Sequence, residues 1–197
     1  MEEVFSILFK HIESKVALSA EQKLQIQGYF SLKALSKKQY LLSQGDTCKH
    51  ISFVASGLLK SYTLDEQGKQ HISLFGQTGW WISDFPSFIF QGKAALNIDA
   101  IEDSMLLLLS KENYDKLLQD IPVMEKYFRL LYQNSLATKD IRLISANANS
   151  ALQRYQLFLK AYPDIAARLP QHLIASYLGL SAETISRIKR KLLKANS

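Results

Sequence analysis

The sequence predicts an α+β protein, in which an N-terminal antiparallel β-roll with flanking helices is followed by a long helix and a C-terminal helix-turn-helix domain. Short β-type runs separated by turn residues fill much of the chain before Ser110. The stretch from Val123 to Tyr162 contains neither glycine nor proline, as expected of long helical structure, and Gly179 separates two short apolar-patterned segments. We therefore divide the chain into residues 1–121, 122–148 and 149–197.

The first part opens with helical patterning, because polar and apolar residues alternate at helical spacing up to about residue 36. Ser19 precedes Ala20, Glu21 and Gln22 in the manner of a capped helix start. The apolar contacts of this segment are expected from Leu24, Ile26, Phe30 and Leu32. The β-type pattern is expected to begin only at Gln39.

From Gln39 the pattern changes to short β-type runs at residues 51–54, 58–64, 70–75 and 105–109. Turn residues separate the runs, and Asp65–Gly68 is typical of a hairpin turn because Gly68 can take the left-handed conformation. Many short strands at this spacing indicate an antiparallel β-barrel or jelly roll, also described as a double-stranded β-helix. We refer to this predicted structure as the β-roll.

Helical patterning returns at Ser110, which is expected to cap a helix with Glu112 in its first turn. A second helix is expected from Pro122, because proline is tolerated in the first turn. A hinge near residues 145–149 would separate the sensor from the DNA-binding part.

The long helix carries residues that recur at alternating steps of four and three, the spacing of a two-stranded coiled coil. The predicted dimer seam consists of Val123, Tyr127, Leu130, Asn134, Ala137, Ile141 and Ile144. Asn134 in the middle of the seam favours pairing with its counterpart in a second chain. The alternative is that the stripe packs on the β-roll of the same chain, and Phe128 and Leu131 widen the apolar face enough for both.

The C-terminal segment has the spacing of a helix-turn-helix. Ile174, Ala175, Leu178, Leu180, Ile185 and Ile188 fall where two short crossing helices must touch. Gly179 lies at the turn, and Ser181 is a plausible N-cap for the second helix. That helix would enter the major groove of DNA. Candidate DNA-binding residues are Gln171, Ser181, Ala182, Glu183, Thr184, Ser186, Arg187, Lys189 and Arg190. The alternative is a solvated basic helix without a nucleic-acid partner.

Composition is consistent with a globular protein that binds nucleic acid. The net charge is +6, from 24 Lys and Arg against 18 Asp and Glu, and most of the excess follows Pro170. Cys48 is the single cysteine, which excludes an intrachain disulfide and fits a reducing cytoplasm. The N-terminus is acidic where a signal peptide would be basic, and no apolar run approaches the roughly 18 residues that span a bilayer. We expect a cytoplasmic protein with no membrane partner.

Several segments spread along the chain have a recognisable pattern: Gly45-Asp46, Phe53–Lys60, Asp65–Lys69, Ile101–Ser104 and Ala175–Arg187. With these segments, nearly the whole chain resembles the cyclic-AMP receptor and anaerobic-regulator family, written Crp/Fnr. Arg154-Tyr155 and Tyr162–Ile165 also have counterparts in the short bacterial members of that family. The resemblance implies a homodimeric transcription regulator whose β-roll senses a small signal and whose paired helices read a two-fold operator in double-stranded DNA. It also makes RNA polymerase a candidate partner.

The predicted effector pocket departs from the family pattern. Members that bind cyclic AMP hold the ribose with a glutamate after a glycine, and the phosphate with an arginine followed by a small hydroxyl residue. Read without gaps from Gly79, these four positions are Ser83, Asp84, Ala94 and Ala95, and the neighbouring Phe85 and Lys93 complete the candidate effector pocket. Asp84 could accept from a ribose, but neither alanine can neutralise a phosphate, and the neighbouring Lys93 lacks the two-pronged geometry of arginine.

These departures predict no tight cyclic-AMP binding, because burying an unpaired phosphate is costly. No cofactor is expected. A cyclic-AMP-responsive regulator with a divergent pocket remains an alternative. Aromatic residues also crowd this segment: Trp80, Trp81, Phe85, Phe88 and Phe90. Core packing explains them more simply than an aromatic ligand pocket.

The family's operator-reading residues, an arginine, a glutamate and a second arginine, fall on Ala182, Glu183 and Arg187. Glu183 can accept from a cytosine amine, and Arg187 can bind a guanine through two hydrogen bonds. Ala182 can do neither, although it can contact a thymine methyl group. The resemblance therefore implies an operator that differs from the family's known ones at one position per half-site.

The alternative interpretation of the β-roll is a metal-dependent cupin-like enzyme. Such enzymes require clustered His and carboxylate ligands. The histidines at 11, 50, 71 and 172 lie in different predicted elements, and no His-x-His pair exists. Nucleophile motifs and phosphate-binding loops are also missing from the sequence. We predict no catalytic residues and no metal site; a haem sensor and a pure protein-interaction module are further alternatives.

Overall fold

The computed structural model describes residues 2–195. The helices are α1 (Glu2–Glu13), α2 (Ala20–Gln27), α3 (Phe85–Phe90), α4 (Lys111–Asp120), α5 (Val123–Ala148), α6 (Ala151–Ala161), α7 (Pro163–Arg168), α8 (Gln171–Tyr177) and α9 (Ala182–Ala195). The strands are β1 (Phe30–Leu35), β2 (Tyr40–Leu42), β3 (His50–Ser56), β4 (Leu58–Leu64), β5 (Gln70–Gln77), β6 (Trp81–Ile82), β7 (Asn97–Ala100) and β8 (Ser104–Ser110). No helix within residues 2–195 is both long enough and apolar enough to cross a membrane.

The chain forms two compact units. The first contains Met1–Thr63 and Ser73–Gln133, and the second contains Leu64–Ile72 and the chain from Asn134 onward. The three-part division expected from the sequence treats the long helix as a part of its own, whereas these units divide α5 between Gln133 and Asn134. They also group the tip of the β4–β5 hairpin with the C-terminal helices.

Two four-stranded antiparallel sheets form the predicted β-roll, with strand orders β1-β8-β3-β6 and β2-β7-β4-β5. In the first sheet, β8 is central and pairs with β1 on one side and with β3 on the other. Gly57 makes the tight link between β3 and β4, with a φ of 101°. A Cβ atom at this position would lie 2.1 Å from the Ser104 hydroxyl oxygen, so only glycine fits.

One predicted element is wrong. The segment Phe30–Leu35, expected to continue helical patterning, is strand β1 and pairs residue by residue with β8. The pairing partner lies more than 60 residues away in the sequence, from Ser104 to Leu109. Contacts with this central strand override the weak local helical pattern. The preceding helix is as predicted, because Ser19 and Gln22 form a reciprocal capping box before α2.

The core of the first unit joins the roll to the first half of α5. Trp81 lies edge-on to Phe53 and Phe128, with ring centroids 5.4 and 5.5 Å apart, and Phe88 lies edge-on to Tyr114. Such aromatic pairs add to the area that they bury. The aromatic segment therefore packs largely as core, as predicted, although Phe90 is 82% exposed.

The second unit has its own core. It is built from Tyr155, Phe158, Ile165, Leu169, Leu173, Ile174, Ala175, Ile185 and Ile188, all of which are buried. Helix α5 ends at Ala148, and Ser150 with Gln153 forms a capping box that starts α6. A helix break therefore lies at the end of the predicted hinge segment, residues 145–149, whereas the two compact units divide at Gln133 and Asn134. These helices hold the C-terminal motif in place.

Candidate nucleic-acid interface

The turn between α8 and α9 has the geometry that the sequence predicts. Gly179 has a φ of 64°, in the left-handed region where a side chain is unfavourable. The amide of Leu180 donates to the Ala175 carbonyl at 2.8 Å, which closes the turn. Ala175 is buried, and its small side chain lets α9 approach α8 closely. The two helices form a helix-turn-helix.

Ser181 fixes the start of α9. Its hydroxyl accepts a hydrogen bond from the Thr184 amide at 3.2 Å, and its carbonyl accepts from the Ile185 amide. These are the interactions of an N-cap residue. Glu183 therefore lies in the first turn of α9, where a negative charge is favoured by the helix dipole.

Helix α9 has one buried face and one exposed face. Ile185 and Ile188 are buried, whereas Glu183, Arg187 and Arg190 are exposed at steps of four and three residues. This spacing places the three charged side chains on one side of the helix. Of the other candidate DNA-binding residues, Gln171, Ser181 and Ala182 are exposed, and Thr184, Ser186 and Lys189 are half-buried.

Glu183 is held in its charged form. Its own backbone amide, the Ser181 hydroxyl and the charge of Lys69 all lower the pKa of this carboxyl below its usual value. At neutral pH the side chain is therefore a hydrogen-bond acceptor only. An ionised acceptor at this position suits the exposed amine of a cytosine in the major groove.

The predicted effector segment gives Asp84 a different role from ribose binding. Asp84 is buried, and one of its carboxylate oxygens accepts from the amides of Ala95 and Leu96 at 2.8 and 3.0 Å. The other oxygen accepts from the Ser87 amide at 3.2 Å and caps α3. The sequence signal for this cap was readable, because Asp84 precedes a helix with Pro86 in its first turn.

The remaining effector-pocket candidates do not converge around a charged group. Ser83 is half-buried, Ala94 is buried, and Ala95 and Lys93 are exposed. Phe85 is half-buried and its ring centroid lies 4.4 Å from that of Tyr132, so it packs on α5. The Asp84 carboxylate connects the two parts of this segment, because it accepts hydrogen bonds from the amides of residues 95 and 96.

The predicted dimer seam divides into two halves. Tyr127 is wrongly included, because it is fully buried in the core of its own chain, and Val123 and Leu130 are half-buried against the same core. Asn134 and Ala137 are exposed, as are Ile141 at 68% and Ile144 at 65%. Leu136 and Leu143 widen this exposed apolar stripe. They were not part of the predicted seam because they do not follow its spacing of four and three residues.

Tyr127 lies at the centre of a partly buried hydrogen-bonded chain. The Trp81 indole Nε1 donates to the Tyr127 hydroxyl at 2.7 Å, and that hydroxyl lies 2.7 Å from Nδ1 of His11. An indole can only donate, so the hydroxyl donates its own proton to a neutral His11. Burial and then the charge of Lys15 lower the pKa of His11 to about 4, which agrees with this acceptor role.

The other histidines of the β-roll lie apart. His71 pairs with Asp65 beside the β4–β5 turn at 2.8 Å, and burial lowers the pKa of His50. Within residues 2–195, no three His, Cys, Asp or Glu side chains are grouped so that they could hold a metal ion.

Comparison with known proteins agrees with this architecture. Residues 32–120 match the cyclic nucleotide-binding domain family. The regulatory protein HlyX of Actinobacillus pleuropneumoniae is 28% identical over 176 residues, covering 83% of this chain and 72% of that protein. The fumarate and nitrate reduction regulatory protein of Escherichia coli is 29% identical over 177 residues, covering 83% and 69%.

Over most of its length the chain is therefore similar to regulators of the Crp/Fnr type, and residues 32–120 match the cyclic nucleotide-binding domain.

Solved structures of regulators have the same fold as this chain. FixK2 from Bradyrhizobium japonicum matches with a TM-score of 0.73 at 20% identity, covering 85% of this chain and 86% of that one. The c-di-GMP-responsive global regulator CLP of Xanthomonas campestris matches with a TM-score of 0.74 at 14% identity, covering 90% and 93%. At these identities the likeness concerns the fold.

Proposed function

We propose that this protein is a homodimeric transcription regulator of the Crp/Fnr type that reads a two-fold site in double-stranded DNA through α9. The observation that carries the proposal is the exposed stripe of Glu183, Arg187 and Arg190 on a helix whose opposite face is buried. Its relatives are regulators, so the assignment of this stripe to DNA reading agrees with the family.

The chemistry of the stripe suits base reading at its N-terminal end and phosphate contact at its C-terminal end. Glu183 would accept from a cytosine amine, and Arg187 would donate two hydrogen bonds to a guanine. Lys189 and Arg190 would contact phosphates, which contribute affinity without sequence preference. Ala182 carries no hydrogen-bonding side chain, so it would contact the base at its position through its methyl group alone.

Dimerisation would use the second half of α5. Ala137, Ile141 and Ile144 are exposed apolar side chains on one stripe, and Asn134 lies on the same stripe. A second copy of the helix would bury this stripe in a coiled coil. A dimer could then present two copies of α9 about 34 Å apart, the distance between successive major grooves on one face of DNA.

The signal that reaches the β-roll would be one other than cyclic AMP, and no cofactor is proposed. The Asp84 carboxylate already accepts three backbone hydrogen bonds, and Ala94 and Ala95 offer no charge to a phosphate. A DNA-bound dimer could contact RNA polymerase, as the family resemblance implies.

Arg187→Ala tests base reading. Each bidentate contact contributes about 1–3 kcal/mol, so two half-sites would lose about 2–6 kcal/mol, or roughly 30-fold or more in affinity. Binding is measured by fluorescence anisotropy on a site selected by the wild-type protein. Arg129→Ala removes the same charge from an exposed position on α5 and is the matched control. Equal affinity of Arg187→Ala and wild type would refute the docking of α9.

A further inference from the structure

A pair of hydrogen bonds joins the tip of the β4–β5 hairpin to α8 within the second unit. The Ser176 hydroxyl donates to the Gln70 carbonyl at 2.6 Å and accepts from the Ile72 amide at 3.0 Å. Strand β5 lies at the edge of its sheet, where backbone groups lack a neighbouring strand. One hydroxyl on α8 therefore provides the partner that a further strand would otherwise supply.

Arg142 of α5 reinforces the same junction. Its Nη2 lies 3.3 Å from the Ile72 carbonyl and 3.2 Å from the Tyr177 carbonyl, and donates to both. The guanidinium also lies over the Tyr177 ring, 4.0 Å from the centroid. Arg142 thus joins α5, the hairpin and the end of α8. A lysine carries the same charge, but it lacks the planar group that lies over the Tyr177 ring while one of its nitrogens donates to both carbonyls.

We call this junction of Ser176, Arg142, Gln70 and Ile72 the clasp. The turn just beyond it is held by a second arginine, because Arg154 donates to the Leu178 carbonyl at 2.9 Å. The carbonyls at the end of α8 are thereby satisfied by side chains from α5 and α6. Two arginines outside the helix-turn-helix therefore hydrogen-bond to the end of its first helix.

The clasp leaves the reading face uncovered. Glu183, Arg187 and Arg190 remain exposed, whereas Ser176 lies on α8 and is half-buried. The hairpin also places Lys69 close enough to Glu183 for its charge to act on that carboxylate. A contact that blocked DNA would be expected to cover these side chains. Their exposure favours a supporting role for the clasp.

We propose that Ser176 and Arg142 are positioning residues for DNA reading, which act by holding the helix-turn-helix against α5 and the hairpin. The proposal rests on the proposed function, because it assumes that α9 reads DNA. A dimer must present its two copies of α9 at one spacing. If either copy could move freely, that motion would be lost when DNA binds, and the loss would lower the affinity.

The test compares Ser176→Ala and Arg142→Lys with wild type on the selected site. Each variant should weaken specific binding at least about fivefold, the effect of one hydrogen bond. The double variant should lose less than the product of the single losses, because both residues belong to one junction. The salt dependence of binding should stay unchanged, because neither residue contacts a phosphate. Ser135→Ala, an exposed serine on α5, is the matched control.

Hydrogen exchange at the Ile72 amide reports on the clasp directly. In Ser176→Ala this amide should exchange faster than in wild type, while the fluorescence melting of the protein stays close to that of wild type. Ser176→Ala removes a single hydroxyl, so it keeps the test decisive even if Arg142→Lys does not fold.

The contrary outcomes are distinct. Tighter DNA binding by Ser176→Ala would make the clasp a restraint that DNA must release, and would overturn the positioning role. A weaker salt dependence would make these residues phosphate contacts. If wild type binds and Arg187→Ala loses affinity while both clasp variants match wild type, the clasp inference alone fails. If wild type selects no DNA, the proposed function fails, and the clasp inference fails with it.

Discussion

Replacing Asp84 should destabilise the first unit strongly, because its carboxylate organises two chain segments. In Asp84→Ala, the Ser87 amide loses its cap, and the amides of Ala95 and Leu96 lose their acceptor. Loss of an aspartate N-cap costs about 1 kcal/mol, and each of the other two hydrogen bonds contributes about 1 kcal/mol. The expected loss in the free energy of unfolding is therefore about 3 kcal/mol.

Urea unfolding followed by tryptophan fluorescence measures this loss, since Trp80 and Trp81 both lie in the first unit. Asp84→Asn, which keeps one acceptor oxygen, should fall between Asp84→Ala and wild type. Asp46→Ala removes an exposed aspartate from the same unit and should change stability by less than about 0.5 kcal/mol. A loss below about 1 kcal/mol in Asp84→Ala would refute the clamping role of this carboxylate.

Three further changes test the packing and the dimer. Gly57→Ala should destabilise the roll by more than about 2 kcal/mol in the same urea assay, because its Cβ would lie 2.1 Å from the Ser104 hydroxyl oxygen at a positive φ; near-wild-type stability would contradict the tight turn. His11 has a lowered pKa in the folded protein, about 4 against 6.5, so the unfolded chain binds more protons between these values. Wild-type stability should therefore fall as the pH drops from 6.5 towards 4, and His11→Gln should show a shallower fall; equal slopes would count against the buried neutral histidine. Ile144→Glu should shift the protein towards monomer in analytical ultracentrifugation and weaken DNA binding, whereas Ala146→Glu, an exposed position two residues further on, should do neither.

Local signals predicted the elements that depend on neighbouring residues. Ser19 and Ser110 cap helices at the expected positions, and Gly179 takes the left-handed conformation that a turn residue at this position commonly needs. Each of these features is decided within a few residues of the chain. The helix-turn-helix could be predicted for the same reason, because its spacing is contiguous.

Features that depend on residues far away in the sequence could not be predicted from it. Strand β1 is set by pairing with β8, and Tyr127 leaves the dimer seam because Trp81 and His11 bind its hydroxyl. The clasp joins Ile72 to Ser176 across 104 residues, and no local pattern marks that contact. Periodicity identified an apolar stripe on α5 but could not say which part would face the same chain.

The two-fold reading of DNA is tested most directly by selection of bound sequences from a random double-stranded pool. We expect the wild-type protein to enrich a two-fold symmetric site whose half-sites lie about one helical turn, 10–10.5 base pairs, or a multiple of it, apart. We expect Arg187→Ala to enrich sites with relaxed preference at one guanine in each half-site. Enrichment of no sequence, or of a single unrepeated half-site, would contradict a dimer that reads DNA through α9.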